Sequence, residues 1–565
     1  MNDPINISIQ IVDESGSFTV TARPRSEKRW YCALEGTEHA REGSQTIIAG
    51  QFYEQFLNNL PPNTIVNKPP RLFRAFIDRQ FIDTRMIFEP EKVAPTIWDK
   101  AFPFQREDIE LAVRLNGRCF LSGEMGVGKT MESLGVVSYF RTEGSRHLFI
   151  VPSYLRGNWW REIDHWTGED SQIIFKTKDE LSEKPFLIIS YDLAVRKFQE
   201  LNKIKWETIV CDESHYLKSR TAKRVKTLSK MISKAPHTML LSGTPALSKP
   251  CELYTQLHML FPVHFKQFTQ FALRYCDLKK THWGWDSNGA TNCDEMGTIM
   301  KKCMVRRLKK DVLGDLPKKI RKEVFIDLLK KEKKELEKQF QELEQLNAIL
   351  RKVQVANKRT RDMAFQRQSL IAEMFRATAR AKIRAVYDYV AGVVQDNPDQ
   401  KIIIFGFHMI TLDNIQQLAE QLKESFMRID GSTPQQDRQS LVDAFQNPDG
   451  PRLAILSIGA CNSGLTLTAC HYTIFAELTW TPSLLLQCED RTHRIGQDEV
   501  CHYDYLIAQD TLDERVMKKI QNKHSLLDHI IDSKANTDGF NIEETEEVAC
   551  EEEEEEEAEK RQRVG

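Results

Sequence analysis

The stretch GEMGVGKT comprises Gly123, Glu124, Met125, Gly126, Val127, Gly128, Lys129 and Thr130, and it fits the pattern G-x-x-x-x-G-K-[ST]. Its glycines let backbone N–H groups turn inward around a β-phosphate. Lys129 then reaches the β- and γ-phosphates, and the Thr130 hydroxyl can ligate Mg2+. The apolar run RCFLS precedes the loop and the helical TMESLGVVSYF follows it, which is the strand–loop–helix order this chemistry needs. CDESHYLKS places Asp212 and Glu213 at the end of the apolar TIVC. Asp212 is expected to hold Mg2+ through water, and Glu213 to orient and activate an attacking water. In FPFQRED, the Gln105 amide can act as donor and acceptor toward adenine, so ATP selectivity is expected of it. In QCEDRTHRIGQ, Arg491 and Arg494 stand three apart and would share a face on one helical turn. Supplied from a second lobe, both can reach the γ-phosphate as arginine fingers. These residues predict an ATP site that uses Mg2+.

Such groups need strand ends to hold them. Short, wholly apolar runs (RCFLSG, HLFIVPS, PFLIISY, TIVCDES and HTMLLSGT) alternate with helical stretches from Ala101 onward. A second series follows: KIIIFGF, MRIDGST, LAILSIG, YTIFAEL and CHYDYLIA. Fully apolar short runs joined by helices read as buried parallel strands, so two α/β sheets are expected, each with its own core. Between them, about residues 325–376, Leu329, Leu336, Leu343 and Leu350 repeat every seven residues among Lys, Glu and Gln. A helical hairpin packed on the same molecule is expected there in preference to a dimer zipper. Upstream, INISIQIV and FTVTARP alternate as short strands, and LPPNTIVNKPP reads as a Pro-rich break.

The chain of 565 residues allows three or four domains at roughly 150 residues each. With 41% hydrophobic and 28% charged residues it cannot be wholly disordered. No apolar run reaches the length of about 18 residues that a spanning helix needs, so no membrane partner is expected. MNDPINISIQ lacks a basic segment followed by an apolar one, so no signal peptide is expected. The net charge of -2 conceals an acidic tail: residues 543–563 hold 12 Glu against Lys560, Arg561 and Arg563, a net of -9, which leaves about +7 elsewhere. A mildly basic body suits a nucleic-acid binder, and the tail reads as a solvated, disordered end. The 12 Cys form no CxxC pair, so neither structural zinc nor a disulfide framework is expected.

The order FQ, GxGKT, DESH, SGTP, DGS, GLTLTA, DRTHRIGQ resembles that of the SWI/SNF-type superfamily-two motors, over about residues 99–530. DESHYLKSRTA, RYCDLKKTHWGWDSNGATN, VRRLKKDVLGDLPKK and FAELTWTPSLLLQCEDRTHRIGQ narrow the resemblance to the HARP-type annealing helicases. The resemblance implies an α/β fold of two RecA-like lobes with parallel sheets, a helical insertion between them and a small N-terminal region. It implies a DNA-dependent ATPase that anneals or remodels branched DNA at single-strand to double-strand junctions. It further implies a nuclear location and single-strand DNA-binding protein as a partner. Nucleosome remodelling by the same engine is the alternative, and an inactive scaffold is disfavoured by intact Lys129, Asp212, Glu213 and Arg494. The expected division is 1–98 as an N-terminal region and candidate divergent substrate-recognition module, 99–270 as the first lobe, 271–378 as linker and helical protrusions, 379–535 as the second lobe, and 536–565 as the disordered acidic tail. Arg306–Lys322 (RRLKKDVLGDLPKKIRK) and Ala356–Arg361 (ANKRTR) are candidate phosphate contacts. Tyr275, Trp283 and Trp285, flanked by Lys279 and Lys280, are candidates for stacking on exposed bases.

Overall fold

The computed structural model describes residues 5–521 apart from 12–16, 24–36, 39–45, 49–52, 59, 61–63, 79–85, 244–248, 282–283, 313–315, 353–357, 460–464, 495 and 519, together with 544–548. Two seven-stranded, all-parallel sheets carry the chain. The first runs Met304–Val305, Arg118–Leu121, His237–Leu241, Thr208–Cys211, His147–Val151, Phe186–Ser190, Ser171–Ile173. The second runs Phe426–Ile429, Leu453–Ser457, Ile402–Gly406, Tyr472–Phe475, Cys501–Ala508, Lys319–Ile326, Glu544–Val548. The ten apolar runs read from sequence are all strands in these sheets. The central strands of the first sheet are buried along their whole length, because helices cover both faces.

Four further strands carry no such run. Ser171–Ile173 and Met304–Val305 are short edge strands. Lys319–Ile326 lies within the stretch expected to be linker, yet it pairs with the whole of Cys501–Ala508 in the second sheet. Its sequence, KIRKEVFI, hides this, because two of its inward cations are neutralised by carboxylates rather than replaced by apolar residues. Glu544–Val548 adds in parallel to the same strand, so this part of the expected disordered tail is an ordered edge. The rest of the acidic tail lies outside the described residues.

The helices Lys330–Lys352 and Lys358–Ala381 form the expected intramolecular hairpin. Leu336 and Leu343 point into the second lobe, where Leu343 joins the cluster that contains Met374. Among the described residues no helix is long and apolar enough to cross a membrane.

Strands Ile5–Ile11 and Phe18–Arg23 form as expected, within a five-stranded sheet. The Pro-rich break contains a strand, Thr64–Asn67, which pairs in parallel with Ile5–Ser8 at the sheet edge. The prolines lie outside it, where no ladder hydrogen bond is lost. This sheet is not free of the first lobe. Phe73 stacks on Phe265 at 5.2 Å, and Phe76 meets Phe261 edge-on at 4.9 Å. Arg274 is buried and donates to Glu295 (2.6 and 3.1 Å), to the Ile9 carbonyl (2.5 Å) and to Asn67 Oδ1 (3.1 Å). Tyr275 Oη donates to Glu295 Oε1 at 2.7 Å, and the Ile11 N–H donates to its Oε2 at 3.3 Å. The RY of RYCD is therefore a latch that fastens the N-terminal sheet to the first lobe, and Tyr275 is a core residue rather than a base-stacking one.

Breaking a buried pair by removing one partner strands the other charge. Arg274→Met should lower unfolding stability by about 3 kcal/mol or more, read from the denaturant midpoint. A midpoint within about 0.5 kcal/mol of wild type, the range for an ordinary surface site, would show that the latch bears no load.

Candidate active site

The phosphate loop leaves the strand Arg118–Leu121 and enters the helix Lys129–Tyr139. Gly126 (φ 86°) and Gly128 (φ 106°) are left-handed, so the sharp turn requires glycine at both. A Cβ on Gly128 would also lie 2.2 Å from Gln105 Nε2. Lys129 Nζ sits inside the loop and donates to the Gly123 and Glu124 carbonyls at 2.8 and 3.0 Å. Burial lowers its pKa, against the opposing charges of Glu213 and Asp212.

Gln105 lies against the phosphate loop. It is 4% exposed, and its Nε2 donates to the Val127 carbonyl at 2.8 Å. Its Oε1 accepts the Phe102 N–H at 2.9 Å, closing the start of the helix Pro103–Arg114. This amide props the phosphate loop from beneath.

Asp212 and Glu213 follow the strand Thr208–Cys211, facing Lys129. Asp212 accepts Trp159 Nε1–H and the Glu213 N–H, each at 2.8 Å, and burial beside Glu213 lifts its pKa to about 6. Glu213 stands in the left-handed region (φ 49°), a strained setting for a side chain of its size. Burial would raise its pKa, but His215, Lys129 and Arg491 outweigh that and hold it down. His215 Nδ1 approaches Glu213 Oε2 at 3.1 Å, close enough for an ion pair though not aligned as a hydrogen bond. Lys129, Asp212 and Glu213 are thus brought together as the sequence predicts. The oxygens of Thr130 and Asp212 are the chemistry a hard divalent cation takes. No group of three or more His, Cys, Asp or Glu among the described residues could hold a metal on its own.

The second lobe delivers both arginines to this place, but not on a helix. The helix Pro482–Glu489 ends before them, and Arg491–Arg494 form a tight turn closed by Thr492 and His493 N–H bonds to the Glu489 carbonyl. His493 Nε2 is tied to the Pro317 carbonyl at 2.8 Å, and Gly496 (φ 93°) lies just beyond. Arg494 backs onto the phosphate loop, with its Cβ 3.4 Å from the place a Cβ on Gly126 would take. Its Nη1 donates to Thr466 Oγ1 at 2.8 Å. Arg491 is 9% exposed, its charge acts on Glu213, and its Nε has no hydrogen-bond partner.

A buried ionic cluster anchors this turn, and the sequence reading missed it. Glu489 is fully buried and accepts Arg321 in a two-pronged pair (2.7 and 2.8 Å), Lys319 (3.2 Å) and Tyr505 Oη (2.7 Å). Burial pushes its carboxyl up, yet Arg321 and Lys319 bring it down to about 2. Asp490 accepts Lys309 Nζ at 2.7 Å and Lys319 Nζ at 3.1 Å. Arg306 donates to the Ser122 and Gly243 carbonyls (2.6 and 3.0 Å), and Arg307 pairs with Asp108 (2.7 Å) and Glu107 (3.0 Å). Within the stretch Arg306–Lys322, the cations Arg306, Arg307, Lys309, Lys319 and Arg321 are therefore engaged inside the protein. A signal was present: its cations precede and occupy a strand that alternates inward positions. Of the other basic stretch, Ala356–Arg361, residues 356–357 lie outside the described residues and the rest opens the helix Lys358–Ala381.

A small hairpin, Lys279–Thr281 with Gly284–Asp286, is exposed along its length, and Lys280 pairs across it with Trp285. Directly opposed residues share a face, so an ammonium and an indole stand side by side. Trp285 is 69% exposed and Lys279 pairs with Asp277, while Trp283 lies outside the described residues.

The chain matches the SNF2-related domain over residues 104–379 and the helicase conserved C-terminal domain over residues 381–496. It is 36% identical over 454 residues to the DNA annealing helicase and endonuclease ZRANB3 of Mus musculus, covering 78% of this chain and 41% of that protein. It is 35% identical over 445 residues to the SWI/SNF-related matrix-associated actin-dependent regulator of chromatin subfamily A-like protein 1 homolog of Caenorhabditis elegans, covering 77% and 62% respectively. This chain thus spans less than two thirds of either relative. The solved SWI2/SNF2 ATPase core of Sulfolobus solfataricus in complex with dsDNA is 22% identical, covering 80% of this chain and 96% of that one at a TM-score of 0.38.

Gln105→Ala should leave the Val127 carbonyl without its donor and weaken ATP binding about tenfold, the cost of one unsatisfied buried group. Discrimination of ATP from GTP should be unchanged; its collapse would favour the base-reading role.

Proposed function

We propose that this chain, which carries the SNF2-related and helicase C-terminal domains, is an ATP-driven motor on DNA that anneals or remodels branched structures. The observation that carries the reading is the meeting of three things at one place: the phosphate loop with Lys129, the acidic pair Asp212 and Glu213, and Arg491 and Arg494 from the other lobe. Such a site fits ATP, because its cations and inward N–H groups match the phosphates and Arg491 Nε is buried with a donor to spare. Thr130 and Asp212 are the residues that would hold Mg2+. Bound there, Mg2+ supplies charge neutralisation at the β- and γ-phosphates.

The chain's own groups do the rest. Lys129 holds the β- and γ-phosphates, and Glu213, kept ionised by its cationic neighbours, takes the proton of the attacking water. Arg491 and Arg494 stabilise charge that grows on the γ-phosphate during transfer. Because the fingers come from the second lobe and the loop from the first, hydrolysis is tied to closure. A ligand held by both lobes shifts that equilibrium, which makes turnover DNA-dependent and turns closure into movement along the strand. Preference for single-strand to double-strand junctions rests on the exposed hairpin, where Trp285 can stack on an unpaired base beside Lys280. A nuclear location and single-strand DNA-binding protein as a partner accompany this reading, on the resemblance to annealing helicases.

ATP hydrolysis measured with single-stranded, duplex and forked DNA tests the reading. Lys129→Ala should lose at least about 100-fold in rate while DNA binding survives, as when a principal electrostatic contact of a transition state is removed. A near-wild-type rate in that variant would remove the loop from the chemistry. Forks should stimulate most. With Trp285→Ala, folding should stay within about 0.5 kcal/mol of wild type, as for an exposed side chain. Fork stimulation should drop toward the duplex value. Equal stimulation of the wild type by linear duplex and forks would leave a generic duplex-tracking motor, and stimulation by nucleosomes above forks would favour chromatin remodelling.

A further inference from the structure

We propose that Lys309 is a positioning residue that sets the arginine turn of the second lobe against the phosphate loop of the first. The inference rests on the ATPase reading above and adds a residue to it. Lys309 lies in neither site motif and is 4% exposed. Its two ends serve different lobes. The backbone N–H donates to Glu124 Oε2 in the phosphate loop at 2.7 Å. The ammonium donates to Asp490 Oδ1 at 2.7 Å and to the His493 carbonyl at 2.6 Å. Those acceptors flank Arg491 and Arg494 in sequence, one directly before Arg491 and the other directly before Arg494. The Lys309 stem passes within 3.7 Å of where a Cβ on Gly126 would stand, beside Arg494. Glu124 is held in turn by its own N–H, which donates to the Arg307 carbonyl at 2.9 Å. One side chain therefore fixes the spacing between the groups that bind phosphate and the groups that stabilise its transfer.

This geometry makes Lys309 matter in the closed state and little for nucleotide affinity. Its ammonium is taken up by Asp490 and the His493 carbonyl, the neighbours of Arg491 and Arg494, so its effect passes through those two arginines. Losing a charge-assisted hydrogen bond that forms on closure should appear in kcat and not in KM.

Lys309→Met keeps the stem and removes the charge. At saturating DNA its kcat should fall about tenfold or more, the equivalent of one charged hydrogen bond, with KM for ATP within about threefold. Asp490→Asn should behave alike, and the loss in the double variant should be smaller than the sum of the two single losses, because the pair share the Lys309–Asp490 contact while Asp490 also meets Lys319 and Lys309 the His493 carbonyl. Single-molecule FRET between a dye on each lobe, with a non-hydrolysable ATP analogue bound, should show the closed population of the wild type reduced in Lys309→Met. Three outcomes overturn the proposal: lowered thermal stability with kcat per active molecule unchanged, a raised KM with kcat intact, or additive losses in the double variant. Wild type and Lys129→Ala run alongside. If wild type hydrolyses no ATP, the motor reading fails, and the FRET arm still decides whether Lys309 holds the lobes.

Discussion

The arrangement depends on one constraint: the charges gathered behind the arginine turn are out of water and must be paired with one another. Lys309, Lys319 and Arg321 meet Glu489, Asp490 and, through a backbone N–H, Glu124. A buried ion costs several kcal/mol unless its partners are well placed, so the cluster tolerates little change of geometry. That intolerance fixes where the strand Lys319–Ile326 lies beside the turn after Glu489. It also fixes where Arg491 and Arg494 arrive. The cluster contributes less to net stability than an apolar core of the same volume could, and what it adds is position.

Strain is concentrated on the other side of the cleft. Glu213 adopts a left-handed backbone, which costs of order 1–3 kcal/mol for such a residue. It is held there because its carbonyl accepts the Tyr216 N–H at 2.9 Å, and because the Asp212 carbonyl before it accepts Tyr191 Oη at 2.7 Å. The carboxylate thereby lies beside His215, within the field of the Lys129 charge. The ionic cluster and the strained strand end serve the same purpose: both place charge before a ligand arrives.

What could be read from the sequence follows from how each element is stabilised. Most of the ten strands are buried on both faces and apolar along their length, which makes them legible by eye, while Phe426–Ile429 alternates at the sheet edge. The phosphate loop could be found because glycine, lysine and a hydroxyl at fixed spacing have few other uses. Lys319–Ile326 escaped because its burial is ionic, and a string of Lys and Arg looks like a solvated face whether or not carboxylates elsewhere in the chain cover it. Gln105 was placed correctly beside the loop, but which partner its amide takes depends on Val127 and Phe102, and spacing cannot reveal that. Arg491 and Arg494 were identified as a pair, while their helical periodicity was not real, since the helix stops at Glu489. Tyr275 and Trp285 sit in one motif, yet one is core and the other exposed; only the position of Glu295 separates them.

The strand Glu544–Val548 has a consequence for solubility. A six-stranded sheet that ended at Lys319–Ile326 would present a long row of unpaired amides, an open template for another chain to add to. Here that row is satisfied from within the same polypeptide, and the new outermost strand is ETEEV. The polypeptide thus closes with its own backbone an edge that another chain could otherwise extend.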